Sequence, residues 1–455
     1  MKDRPDESMT TRRLSRRAFL SRAAAVAALT GVAGPLAACK PPEETGGGGE
    51  GGTNLDFVIW TYNVATVQDN VNRFQEKYPK IKVNLSDFSW NAYHETMVNR
   101  FNSQTPMDVA YDGGNWLPEF AKAGWVAPLA DHFAWVEDYR DKIFDFAWQD
   151  MSHEGKVYGL PYYADTQSFL YNEKILQDAG ISEPPQTWEE LTEQAKRLQQ
   201  GGMDKPFIIE LAQDLPTITE AFTSMVFGRG GEMFDEEANP LWTDSASPMA
   251  QQMQWLVDAA NKDNILTSVP HETDAVRAMN TGRHAFTVLY NYNLAELNNE
   301  ARSDLAGQFK LAQMPGETHE CYGFAKFYNV TQMAADRGGS VVDACGKFIE
   351  YFAGETDGEY VVAKRWALES GLGFGQKPLF DDPEVRKALS RWMDLDTRQK
   401  QLELARAQRY TVWYGIWDED FRREYARAMS GQTSAEDALA TTAERWNELK
   451  EQHSG

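Results

Sequence analysis

Three short stretches of this chain set aromatic rings beside hydroxyl, amide and carboxyl groups: Trp60-Thr61-Tyr62, Asp87 to Trp90, and Asp112 to Trp116. Flat rings offer faces for stacking, and Thr, Asn and Asp offer fixed hydrogen-bond partners, a combination suited to holding a small molecule. Signatures of a reactive centre are sparse. The seven histidines are scattered with no H-E-x-x-H pattern, so a zinc site has no support. The three cysteines, Cys39, Cys321 and Cys345, form neither a disulfide framework nor a metal-ligand set. Cys321 and Cys345 could pair outside a cell or sit as small buried apolar residues.

The elements that must position the three clusters alternate. "LDFVIW" (residues 55–60) reads as a buried strand, and Val67, Val71 and Phe74 mark one face of a following helix. "IKVNLSDF" (81–88) alternates Ile81, Val83 and Leu85 as a second strand, and a helix from about Asn91 carries Met97, Val98 and Phe101 inward. "MDVAYDGG" (107–114) supplies a third strand. Strand-helix-strand-helix-strand implies right-handed crossovers and a mainly parallel sheet. In such sheets ligands bind beyond the carboxyl ends of the strands, where the three clusters stand. Further along, Thr187 and Glu190 form a capping box for a helix to about Gln200, "HAFTVLYNYN" (284–293) reads as a strand ending on Tyr290 and Tyr292, and the chain beyond Ala388 reads mostly as helix. About 400 residues exceed one core, so two lobes are expected.

The N-terminal stretch "SRRAFLSRAAAVAALTGVAGPLAACK" (15–40) combines a basic cluster, an apolar run broken by Gly31, Gly34 and Pro35, and a cysteine. The run is shorter than the roughly 20 residues a spanning helix needs. Its order is that of a secretory signal, with Arg16 and Arg17 resembling a twin-arginine export motif and Leu36-Ala37-Ala38-Cys39 resembling a lipobox. This predicts a signal peptide over 1–38, lipid on Cys39, and a glycine-rich tether over 39–53. The formal net charge of -23 disfavours nucleic acid and anionic lipid as partners.

Nearly the whole remaining chain resembles the family 1 extracellular solute-binding proteins of bacterial ABC importers, the maltose-binding-protein-like group. The likeness is carried by "FVIWTY", "DVAYDGGNWLPEFAKAGWVAPLAD", "GEMFD", "MNTGRHAFTVLYNY" and "LAQMPGE", and above all by the series from Gly155 to Leu191, "GKVYGLPYYADTQSFLYNEKILQDAGISEPPQTWEEL". The resemblance implies an α/β fold of the type II periplasmic-binding-protein kind, with two α/β lobes, a ligand cleft and a hinge of crossing strands. The crossings are expected near Tyr163–Ser168 and Met314–Glu317. Lobe 1 would take 54–164 plus 316–375, and lobe 2 would take 165–313 plus 376–455.

A neutral sugar presents apolar C–H faces and a rim of hydroxyls, which aromatic plates and Asp, Asn or Gln groups match. Carried over residue by residue, the resemblance implies ligand contacts from Tyr62, Trp90, Asp112, Asn115 and Trp116 in lobe 1. From the hinge and lobe 2 it implies Tyr163, Asp165, Tyr292, Trp413 and Tyr414, with Gln213 and Asp214 as weaker candidates. It further implies an uncharged mono- or oligosaccharide as ligand, a membrane permease as partner, no cofactor or metal, no catalysis, a monomer, and residence at the outer face of the cytoplasmic membrane or in the periplasm. Two alternatives stay open at this stage. A charged solute, such as a polyamine or polyol phosphate, would call on Arg365 or Arg229 if anionic, and a secreted glycoside hydrolase would need two carboxylates facing one bond.

Overall fold

The computed structural model describes residues 52–453. Arg16, Arg17, Cys39 and the segment 1–38 lie outside the described residues, as does most of the expected tether, whose last residue, Thr53, already opens a strand.

The frame is an eleven-stranded sheet shared by two α/β halves. In chain order its main strands are β1 (Thr53–Trp60), β2 (Ile81–Phe88), β3 (Val109–Gly113), β4 (Gly159–Asn172), β5 (Phe207–Glu210), β6 (Leu266–Val269), β7 (Phe286–Tyr290), β8 (Phe309–Ala312) and β9 (Cys321–Thr331). They lie side by side as β2-β1-β3-β9-β4-β7-β5-β6, with β8 also paired to β4. β1 runs parallel to β2 and β3. At the far end β5 runs parallel to β6 and β7. Each half therefore holds a parallel unit, and the antiparallel strands β4 and β9 stand between them.

β4 is where the chain passes from one half to the other. Its residues from Gly159 to Thr166 pair with β9, and those from Gln167 to Tyr171 pair with β7. All fourteen of its residues are buried, as expected for a strand covered on both faces. The return passage, between β8 and β9, turns at Gly316. Its φ of 136° suits glycine, and a Cβ there would stand 2.2 Å from the Gly228 carbonyl oxygen.

Helices pack as their periodicity predicts. Val67, Val71 and Phe74 of helix Val64–Lys77 are buried, and the last two helices, Tyr414–Met429 and Ala435–His453, pair with each other and with helix Pro248–Asn261. The Thr187 side chain accepts a hydrogen bond from the Glu190 amide at 3.1 Å, and the Glu190 carboxylate accepts one from the Gln186 amide at 2.7 Å. Residues 376–389, expected with the second lobe, instead pack on the first half. Phe380 meets Phe144, and Lys364 bridges to Asp382 at 2.9 Å. Cys321 and Cys345 are both buried and unpaired. Among the described residues no helix is long and apolar enough to cross a membrane.

Candidate functional site

A cavity of about 1480 Å³ opens between the two halves. The first half contributes Trp60, Tyr62 and Trp90 from the ends of β1 and β2; the second contributes Glu210, Glu272, Tyr290, Tyr292 and Asn293 from the ends of β5, β6 and β7. The shared strands β4 and β9 form the floor with Tyr162, Tyr163, Phe324 and Lys326. Both parallel units thus point their carboxyl ends at one space, which is where α/β sheets place ligands.

A register shift shapes the floor. Lys326 stands opposite Tyr163 and Phe327 opposite Pro161, so Tyr162 has no partner on β9. Successive residues of a regular strand face opposite sides of the sheet. The bulge lets the adjacent Tyr162 and Tyr163 both line the cavity. Around them the rings interlock: Trp60 meets Trp90 edge-on at 5.2 Å, Tyr163 meets Phe324 at 5.4 Å, and Tyr290 stacks on Tyr292 at 5.6 Å.

Carboxylates supply the polar part. Burial raises Glu210 to about 7, and repulsion from Glu272 and Glu220 adds to it; Thr217 donates to its Oε1 at 2.8 Å. Burial also raises Glu272, which accepts hydrogen bonds from Tyr292 and, at 2.5 Å, from Asn293. No Lys or Arg is among the largest influences on either one. Their remaining oxygen lone pairs can accept hydrogen bonds from the hydroxyls of a bound molecule.

The other end of the floor holds a cation. The Lys326 ammonium lies 5.5 Å from the Trp90 ring, 5.8 Å from Trp116 and 5.4 Å from Phe324, and donates to Asn115 Oδ1 at 3.3 Å. Its field offsets part of the burial that raises Asp112 and Asp150 to about 7 and that raises Glu220. Among the described residues no group of three or more His, Cys, Asp or Glu is arranged to hold a metal ion.

The sequence-derived candidates separate into three groups. Tyr62, Trp90, Tyr163 and Tyr292 line the larger cavity. Asn115, Trp116 and Tyr414 line a second cavity of about 660 Å³, also between the halves. Asp112, Asp165 and Trp413 line neither. Asp112 is fully buried, with its oxygens taken by the Gly113 amide at 2.7 Å and the Asn329 amide at 2.8 Å. Asp165 is fully buried against Arg398 at 2.7 Å, and its carboxyl is nevertheless raised, because burial outweighs that pairing. Trp413 is spent on packing against Trp446 and His453.

Gln213 and Asp214 are exposed and away from both cavities, and Arg365 and Arg229 are engaged with Asp69 and Gln252 respectively. Sequence reasoning missed Tyr162, Glu210, Glu272, Tyr290 and Lys326 as lining residues. Glu210 had a signal, since it is the charged last residue of an otherwise apolar strand, "FIIE".

Comparison with known proteins agrees with this architecture. The chain is 24% identical over 257 residues to the diacetylchitobiose binding protein DasA of Streptomyces coelicolor, a match covering 54% of this chain and 58% of that protein. It is 24% identical over 291 residues to an arabinooligosaccharide-binding protein of Bacillus subtilis, covering 62% of this chain and 64% of that one. The matched stretch is therefore less than two thirds of either relative. Among solved structures, maltose-bound MalE3 of T. maritima superposes with a TM-score of 0.72 at 19% identity, over 87% of this chain and 100% of that one. The sugar-binding protein MalE of Xanthomonas citri gives 0.75 at 19% identity, over 88% and 98%. These likenesses show the fold, two α/β lobes about a cleft of the periplasmic-binding-protein kind. The family model for bacterial extracellular solute-binding proteins matches residues 60–317, more than half of the chain, and the chain belongs to that family.

Proposed function

We propose that the chain is the substrate-binding component of an ABC importer, that it captures an uncharged mono- or oligosaccharide between its lobes, and that it delivers the sugar to a membrane permease without chemical change. The observation that carries this reading is the cavity of about 1480 Å³, in which rings from both halves stand beside two carboxyl groups, Glu210 and Glu272, that are held by hydroxyl and amide donors. Rings match the C–H faces of a sugar, and carboxyl oxygens accept hydrogen bonds from its hydroxyls. The names of the relatives, which bind diacetylchitobiose and arabinooligosaccharides, support the same class of ligand.

In this reading Tyr62, Trp90, Tyr163 and Tyr292 contact the sugar. Because the contacts are split between halves, ligand stabilises the closed arrangement by interactions absent from the open one. Lobe 1 comprises 54–164 with 316–389, and lobe 2 comprises 165–313 with the helices from Leu395 onward. The monomeric body is exported and held at the membrane by lipid on Cys39.

A thermal-shift screen of mono- and oligosaccharides, with amino acids, polyamines and sugar phosphates as controls, tests the proposal. Ligand at about 100 times its Kd stabilises the folded state by about 2.7 kcal/mol. A neutral sugar is expected to raise the melting temperature, and Tyr292→Ala is expected to lose that rise. Shifts with charged compounds alone would overturn the assignment.

A further inference from the structure

Three stretches of chain join the two halves: β4 at its change of partner, the return passage from β8 to β9, and residues 390–394, which lead into helix Leu395–Leu404. That short helix meets all three. Gln313, at the start of the return passage, donates to the Thr397 carbonyl oxygen at 3.0 Å, and at its end the Cys321 thiol donates to the Gln401 carbonyl oxygen at 3.7 Å. Ala405 and Arg406, which follow the helix directly, pair with Cys321 and Tyr322 of β9.

The grip of this helix on β4 is polar and falls at the change of partner. Asp165 and Thr166 end the part of β4 that pairs with β9, and Gln167 and Ser168 begin the part that pairs with β7. Arg398 donates to Asp165 at 2.7 Å, to Thr166 Oγ1 at 2.6 Å and to Gln401 Oε1 at 2.7 Å. The same Gln401 oxygen accepts from Thr166 at 3.0 Å and from Ser168 at 3.2 Å. Arg398 and Gln401 therefore hold β4 on both sides of its switch, and all of these side chains are buried. The other Asp165 oxygen accepts from the Tyr163 hydroxyl at 3.3 Å, which carries the network to the cavity floor.

What such a network supplies is direction. An apolar contact of the same volume would stabilise the fold as well or better, since desolvating an ion pair costs most of what the pairing returns. It would also let the strand slide. A planar guanidinium bonds along the fixed directions of its fork, so two adjacent residues of β4 keep one place relative to the helix. A crossing strand that bends at its switch gives two lobes a range of angles, because a hinge needs only a few residues that absorb backbone rotation. Pinned on both sides, β4 has none to give at that point.

We infer that Arg398 is a positioning residue for lobe closure: acting through Asp165 and Thr166, it splints the first crossing strand at its switch, so that the lobes turn as rigid bodies about helix Leu395–Leu404. The inference rests on the capture of ligand by lobe closure in the proposed function, and not on the ligand's being a sugar.

The test is pulsed electron resonance of the ligand-free full chain, with spin labels on Glu76→Cys in helix Val64–Lys77 and on Glu193→Cys in helix Trp188–Gln200, both exposed positions. Cys39→Ser removes the competing thiol, and Cys321 and Cys345 are buried. The parent is expected to give one narrow distance between the lobes. Arg398→Met with Asp165→Leu, which clears the network without leaving a lone buried charge, is expected to lose that narrow peak for a broad one while still unfolding cooperatively in urea. Arg398→Lys, which can pair with Asp165 but cannot reach Thr166 and Gln401 as well, is expected to broaden it too. Thr187→Ala, which lowers stability in the second half without touching the hinge, should keep the parent's width, and broadening there would overturn the positioning role. A parent-like width in the folded paired variant, or in Arg398→Lys should the paired variant not fold, overturns the inference, as does a broad distribution in the parent. Because the distances are read without ligand, failure of every saccharide in the thermal-shift screen would overturn the ligand assignment and leave this result standing.

Discussion

Asp112 offers a clean perturbation because it is fully buried, carries a carboxyl raised to about 7, and sits beside an amide that can adapt to its replacement. An unfolded Asp titrates near 3.8, so between that pH and about 7 the folded protein holds a proton that the unfolded chain has released. A group whose folded pKa is the higher contributes stability that is complete below the unfolded value and is lost as pH rises through the folded one. Each pH unit inside the window is worth about 1.4 kcal/mol, so raising the pH from 5 to 8 crosses about two units and removes about 3 kcal/mol. Asp112→Asn is blind to that window. Its amide oxygen still accepts from the Gly113 amide, and its NH₂ meets Asn329, whose own Oδ1 is buried without a partner and can turn toward it. Urea unfolding of both proteins, followed by tryptophan fluorescence at pH 5 and pH 8, reads the effect directly. The stability of Asp112→Asn relative to the parent is expected to improve by about 3 kcal/mol between the two pH values. A difference that stays constant with pH would refute the assignment of a buried, protonated carboxyl to this position.

Arg398→Met should destabilise the fold by about 3–5 kcal/mol in the same unfolding assay, because it strips partners from the buried Asp165, Thr166 and Gln401, which Arg398 contacts at 2.7, 2.6 and 2.7 Å. Adding Asp165→Leu should recover most of that loss, since replacing both members of a buried pair removes the unpaired charge. Thr187→Ala, which deletes the cap on Glu190, should cost about 1 kcal/mol at pH 7.

The strands and helices were legible because burial imposes a period on them. Ile81, Val83 and Leu85 alternate because β2 lies at an edge with one covered face, and Val67, Val71 and Phe74 recur at helical spacing because only one side of their helix meets the sheet. The cleft was legible in the rings that end strands. Tyr62, Trp90 and Tyr292 reach the cavity because a residue just past a strand's carboxyl end has no neighbouring strand to pair with and points into the space the parallel units share.

The same rule fails inside a strand that is covered on both faces, where side-chain direction depends on the neighbours and not on the local pattern. Asp112 and Asp165 stand on β3 and β4, where every residue is buried, so no alternation in the sequence says which of them meets solvent. Tyr162 escapes local reading for a further reason: it faces the cavity only through a register shift that β9 imposes from about 160 residues away along the chain. Lys326 faces the cavity by ordinary alternation with Phe324, two residues before it on β9. In a protein of net charge -23 a lysine in a buried strand reads as an anomaly of the sequence, yet three raised acids, Asp112, Asp150 and Glu220, come from three separate elements and meet only once the halves are assembled. The charge at 326 makes physical sense against that assembled cluster, and a reader of the linear chain has no means of gathering it.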